Sequence, residues 1–124
     1  MTKILGDLRA DKVGADQTVD TGTLAASIST CFRMARDGRY TESQRGAFYA
    51  NGVVLREQLK VLLGVVFDAG TPELVAANAT IKTVNAALAK ALADINQAAA
   101  TIDQLGKLVA QLTRLVELAG VLGV

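Results

Sequence analysis

An all-α fold is what this sequence predicts, and three features carry the prediction. The chain is 51% hydrophobic but only 4% aromatic, whereas strands favour aromatic and β-branched residues. One Pro among 124 residues is too little punctuation for a strand-and-turn protein. Apolar side chains recur every three to four residues over most of the length, the period of one helix face.

Residues 1–20 hold three basic and four acidic side chains with little periodicity. They read as an irregular or flexible N-terminal arm, in which Ile4, Leu5 and Leu8 suit a single turn docked on the protein's own body. A first helix is expected from about Thr23 to Arg36, because Leu24, Ile28, Cys31, Phe32 and Ala35 share one face. Asp37-Gly38 should end it, with Gly38 left-handed past the last turn. Thr41-Glu42-Ser43-Gln44 reads as a capping box. It opens a second helix that runs to about Ala69, where Gly70 and Pro72 stop it. The stripe of that helix is Phe48, Leu55, Leu59, Leu62 and Val66, with Gly52 in the gap. Val61 to Phe67 is apolar on every side, so a helix there needs cover on more than one face.

The third element has the longest pattern. Thr71 suits an N-cap, Pro72 the first helical position and Glu73 the positive end of the helix dipole. One heptad register then runs from Leu74 to Ala119, with Leu74, Ile81, Leu88, Ile95, Ile102, Val109 and Val116 at a. Ala77, Val84, Ala91, Ala98, Leu105, Leu112 and Ala119 occupy d, and no charged residue of the segment falls at a, d or e. That pattern predicts one coiled-coil helix from Pro72 to about Ala119, with residues 120–124 as a frayed tail.

Such a rod would be ~70 Å long, against a diameter of ~35 Å for a compact chain of this size. The expected architecture is therefore an elongated antiparallel helical hairpin over residues 21–119, its two shorter helices laid along the long one. Two helices cannot cover so wide a stripe, which calls for an oligomeric bundle, most simply a dimer. The side chains expected to carry self-association are Leu62, Val66, Leu88, Leu92, Ile95, Ile102, Leu105, Leu108, Val109, Leu112, Leu115 and Val116. The alternative is a break at Gly106 that folds the rod back into a compact, monomeric four-helix bundle.

Composition argues against catalysis. The chain lacks His, the commonest general base and zinc ligand, and no cofactor or metal is expected. Cys31 is the only thiol and sits among apolar neighbours, where it should act as a small hydrophobe. The net charge of +1 gives no general grip on nucleic acid. No signal-like apolar core precedes residue 20, and no charge-free stretch approaches the ~20 apolar residues that span a bilayer. A reducing, cytoplasmic setting is the simplest expectation.

The function expected is a non-enzymatic structural or protein-interaction module whose partners are itself and another protein. A membrane-perturbing helical protein is the alternative, although the mixed, neutral polar faces differ from the Lys/Arg-rich face of interfacial helices. Arg33, Arg36 and Arg39, with Arg45 nearby, form a candidate patch for an anion or acidic partner. Cations at a helix C-terminus are also favourable for their own sake.

Overall fold

The computed structural model describes residues 17–121. Among them are four α-helices: α1 (Thr21–Ala35), α2 (Glu42–Leu62), α3 (Pro72–Ala93) and α4 (Ala98–Val121), with a single 3-10 turn, Ile95–Gln97, before the last. The described residues are thus all-α, as the composition implied. They do not form a hairpin around a rod.

Local chemistry sets each boundary. The Asp20 carboxylate opens α1 by accepting from the Thr23 amide at 3.2 Å. Gly38 is not left-handed. Instead α1 closes with a tightened turn, the Arg36 and Asp37 amides donating to the Arg33 and Met34 carbonyls. The Asp37 side chain then accepts from the Arg39 amide at 3.0 Å, an Asx turn that does the work expected of the glycine. The capping box of α2 is present, with both Thr41–Gln44 bonds at 3.1 Å.

The second helix stops at Leu62 rather than near Ala69, because Gly64 takes φ +79° and turns the chain away. Beyond it the side chains alternate: Val65 and Phe67 are buried, while Leu63 and Val66 are exposed. The apolar run therefore lies half across the core instead of needing cover all round. Thr71 occupies the N-cap position of α3, but its hydroxyl donates to the Asp68 carbonyl at 2.6 Å rather than capping the helix.

Packing places α1 against α2 and α3, and α4 against α2 and α3, so α2 and α3 are diagonal. Residues 63–71 therefore cross one end of the bundle, and Gly70-Thr71-Pro72 does not join two neighbouring helices. The crossover makes α1 and α3 parallel. The Asp20 amide donates to Asn78 Oδ1 at 2.9 Å and the Ser27 hydroxyl donates to Asn85 Oδ1 at 3.1 Å, both across 58 residues. These two Asn fix the register of the parallel pair. The Phe67 amide donates to the Gln17 carbonyl at 2.7 Å, and Val19 is buried. Residues 17–20 of the expected arm are thus pinned at the crossover end, while Ile4, Leu5 and Leu8 lie outside the described residues.

The expected continuous helix from Pro72 to Ala119 is two helices. Asp94 is extended (φ −141°, ψ 104°); its amide closes α3 on the Lys90 carbonyl and its carboxylate accepts from the Asn96 amide at 3.0 Å. One residue thus ends one helix and caps the next. Tyr40 braces the break from the facing turn, its buried hydroxyl donating to the Ala91 carbonyl at 2.5 Å, one of the last carbonyls of α3 that lack an intrahelical donor. Helix α4 continues through Gly120 to Val121, past the fraying point expected at residue 120; residues 122–124 lie outside the described set.

Gly106, the suspected breakpoint, is uninterrupted helix, and a Cβ there would meet nothing within 4 Å. Gly106→Ala is expected to raise stability by about 0.5–1 kcal/mol through helix propensity alone. A urea titration checks this; an unchanged or lowered midpoint would contradict the exposed helical site.

Candidate functional site

Most of the side chains expected to mediate self-association are consumed inside one chain. Leu62, Leu88, Leu105, Leu108, Leu112 and Leu115 are fully buried core residues. Leu92, Ile102, Val109 and Val116 are half-buried against that core. Only Val66 and Ile95 of the set stand exposed, at opposite ends of the bundle. The stripe that seemed to demand a second chain is covered by α1, α2 and the other half of the supposed rod.

The expected arginine patch is likewise divided. Arg39 is bound to its own turn: its guanidinium makes a 2.7 Å ion pair with Asp37 and lies 5.7 Å from the Tyr40 ring centre. The Arg39 hydrogen bond holds the Asp37 carboxyl down at about 2. Arg33, exposed on α1, adds a weaker field at the same carboxylate. Arg36 instead meets Arg45, which the sequence had placed only nearby.

Those two arginines line a cleft of about 450 Å³ between the end of α1 and the start of α2, together with Phe32, Ala35, Glu42, Gly46 and Tyr49. The helices approach closely here because Gly52 leaves room for Phe32: a Cβ at Gly52 would lie 3.1 Å from the Phe32 ring. The Phe32 and Tyr49 rings meet edge to face at 5.8 Å, and Arg56 lies 5.4 Å from the Phe32 ring centre. Tyr49 is 58% exposed. Neither Arg36 nor Arg45 is in an ion pair among the described residues, and the Nε of Arg45 is buried without a hydrogen-bond partner. Glu42 is the one carboxylate in the lining.

This arrangement is suited to holding an anionic group beside an apolar or aromatic one. Guanidinium groups bind carboxylates in a planar fork and stack on ring faces. The motif was hard to read in the sequence because Arg36 and Arg45 belong to different helices, and the turn between them sets their spacing.

Elsewhere the chemistry is sparse. Cys31 is buried, and burial pushes its thiol up to about 12, so at neutral pH it is protonated and out of reach. A second groove of about 370 Å³ between α3 and α4 is lined mainly by Ala, Thr and Gln, with Lys90 its only charge. Among the described residues no three His, Cys, Asp or Glu are grouped to hold a metal ion, and no helix is long and apolar enough to cross a membrane. No protein family, curated protein or solved structure matches this chain.

Proposed function

We propose that the protein is a non-enzymatic protein-interaction module that docks an acidic segment of a partner protein in the Arg36–Arg45 cleft. The observation behind this reading is the pair of guanidiniums in no ion pair among the described residues, flanked by Phe32 and exposed Tyr49. Rings beside cations favour a peptide that alternates carboxylates with apolar groups. The uncrosslinked thiol of Cys31 suits a reducing compartment, and we place the module in the cytoplasm.

The test is fluorescence anisotropy with labelled deca-glutamate, deca-lysine and a single-stranded oligothymidylate as probes. The wild-type chain should bind deca-glutamate saturably and ignore deca-lysine. The double variant Arg36→Gln/Arg45→Gln should bind deca-glutamate at least ~10-fold more weakly, since each charge-assisted hydrogen bond is worth about 1.5–3 kcal/mol. Equal binding by the variant, or tighter binding of the oligonucleotide, would overturn the reading.

Lipid contact is the second reading, and the exposed Val61, Leu63, Val66 and Val75 favour it. Asp68, two residues beyond Val66, opposes an anionic headgroup layer. Co-sedimentation with zwitterionic and anionic vesicles decides it, and a protein left wholly in the supernatant dismisses it.

A further inference from the structure

Resting on the acidic-partner reading, we infer that Glu42 selects among acidic segments, admitting those in which a basic side chain stands next to the acid. The cleft has an internal order. Glu42, Arg45, Gly46 and Tyr49 fall at i, i+3, i+4 and i+7 on α2 and share one face, as Phe32, Ala35 and Arg36 do at the end of α1. The turn between the helices keeps Arg36 and Glu42 beside it. Phe32 and Tyr49 meet farther along the two axes, one turn back from Arg36 and two turns on from Glu42. The charges thus gather toward the turn and the rings away from it.

Glu42 is out of place in a site built for anions alone. Arg45 lies one helical turn beyond it, a spacing at which opposite charges commonly pair, yet no ion pair joins them, and none joins Glu42 to Arg36. The Nε of Arg45 is buried without a hydrogen-bond partner, so this guanidinium is packed into the structure rather than reaching along the helix to Glu42. Other carboxylates nearby in sequence are committed: Asp37 holds Arg39, and Glu57 holds Arg56 and Lys60. Glu42 is exposed and, among the described residues, has no cation. Its place in the first turn of α2 suits an acid, and the same place makes it a wall of the cleft.

A ligand that satisfies all three charges must bring both signs. A carboxylate near Arg36 and Arg45 is attracted by both, whereas a further acid beside it would face Glu42. A Lys or Arg side chain next to the bound acid meets Glu42 instead, and an apolar side chain beyond it reaches the Phe32 and Tyr49 rings. Gly46 keeps the space open, since a Cβ there would meet nothing within 4 Å. The chemistry recognised is a base, an acid and an apolar residue in succession, not a run of acids.

Two further labelled probes, three tandem copies of Lys-Glu-Leu or of Gln-Glu-Leu, join deca-glutamate in the anisotropy assay. The wild-type chain should hold the Lys probe about 2- to 5-fold more tightly than the Gln probe, the range of an exposed ion pair. Glu42→Gln should erase that preference and tighten deca-glutamate by a similar factor, a gain that a damaged fold cannot produce. Gly46→Leu fills the cleft without removing a charge and should weaken all three probes; undiminished binding would put the selectivity elsewhere and overturn the inference. So would a Lys preference that survives Glu42→Gln, or deca-glutamate binding left unchanged by it. If deca-glutamate then still requires Arg36 and Arg45, the acidic-partner reading stands and only the selective role of Glu42 falls. A wild-type chain that binds none of the three probes removes both.

Discussion

Phe48→Ala should bring the protein close to unfolding. Phe48 is fully buried and packs edge to face on Tyr40 at 5.5 Å between ring centres. Emptying such a site costs about 3–5 kcal/mol in lost transfer energy and cavity, and the aromatic pair adds about 0.5–1.5 kcal/mol. Total stabilities of small domains are about 5–15 kcal/mol, so half or more of the stability is at risk. The damage is not confined to α2. Without its neighbour ring, Tyr40 loses the support that aims its hydroxyl at Ala91, and the end of α3 loosens with it. Thermal and urea melts by far-UV circular dichroism should show a drop in midpoint of roughly 10–20 °C, scaled from the usual few degrees per kcal/mol. A loss below about 1 kcal/mol, the ordinary effect of a point substitution, would mean that Phe48 is not a core residue.

The second large effect is a distance. Glu73 and Glu117 line the same small depression, where the start of α3 meets the end of α4. Nitroxide labels at Glu73→Cys and Glu117→Cys should therefore be on the order of 10–20 Å apart, given neighbouring axes ~8–10 Å apart. A continuous helix would hold them ~66 Å apart at 1.5 Å per residue. The buried native thiol, pushed up to about 12, does not compete for the label. A pulsed electron-resonance distance above about half the rod value, taken from that same rise per residue, would restore the rod and remove the bundle.

The rod looked sound because two different seams overlap in one register. In α3 the buried residues Leu74, Ala77, Ile81, Val84, Leu88 and Ala91 sit at a and d, with Asn78 at e. In α4 the buried set is Ala98, Thr101, Leu105, Leu108, Leu112, Leu115 and Ala119, which is d and g. The core face thus shifts by three residue steps across the break, a rotation of ~60° around a helix of 3.6 residues per turn. The d positions are common to both seams, so a count of a and d alone sees no reset. The signal was present nonetheless: Asp94 and Gln97 have the spacing of an N-cap and its N3 partner. An uninterrupted apolar period outweighed it.

Other features were legible because they are local. The capping box at Thr41, the stripe of α1 and the small residue at Gly52 each depend on neighbours in sequence or on one face. The cleft depends on the angle at which two helices meet after a turn. Nothing in the spacing of Arg36 and Arg45 reveals that they share it while Arg39 turns away to Asp37.

The diagonal crossover has a consequence of its own. Corner-to-corner travel across four helices spaced ~8–10 Å apart covers ~14 Å, which residues 63–71 span with slack and a two- or three-residue link cannot. Linker length therefore selects between two arrangements of the same four cylinders. Excising Leu63 to Asp68, which leaves a three-residue link, would move α3 to the corner beside α2, set it antiparallel to that new neighbour, and part Ser27 from Asn85. One chain would have exchanged a diagonal connection for an adjacent one without a single helix being rewritten.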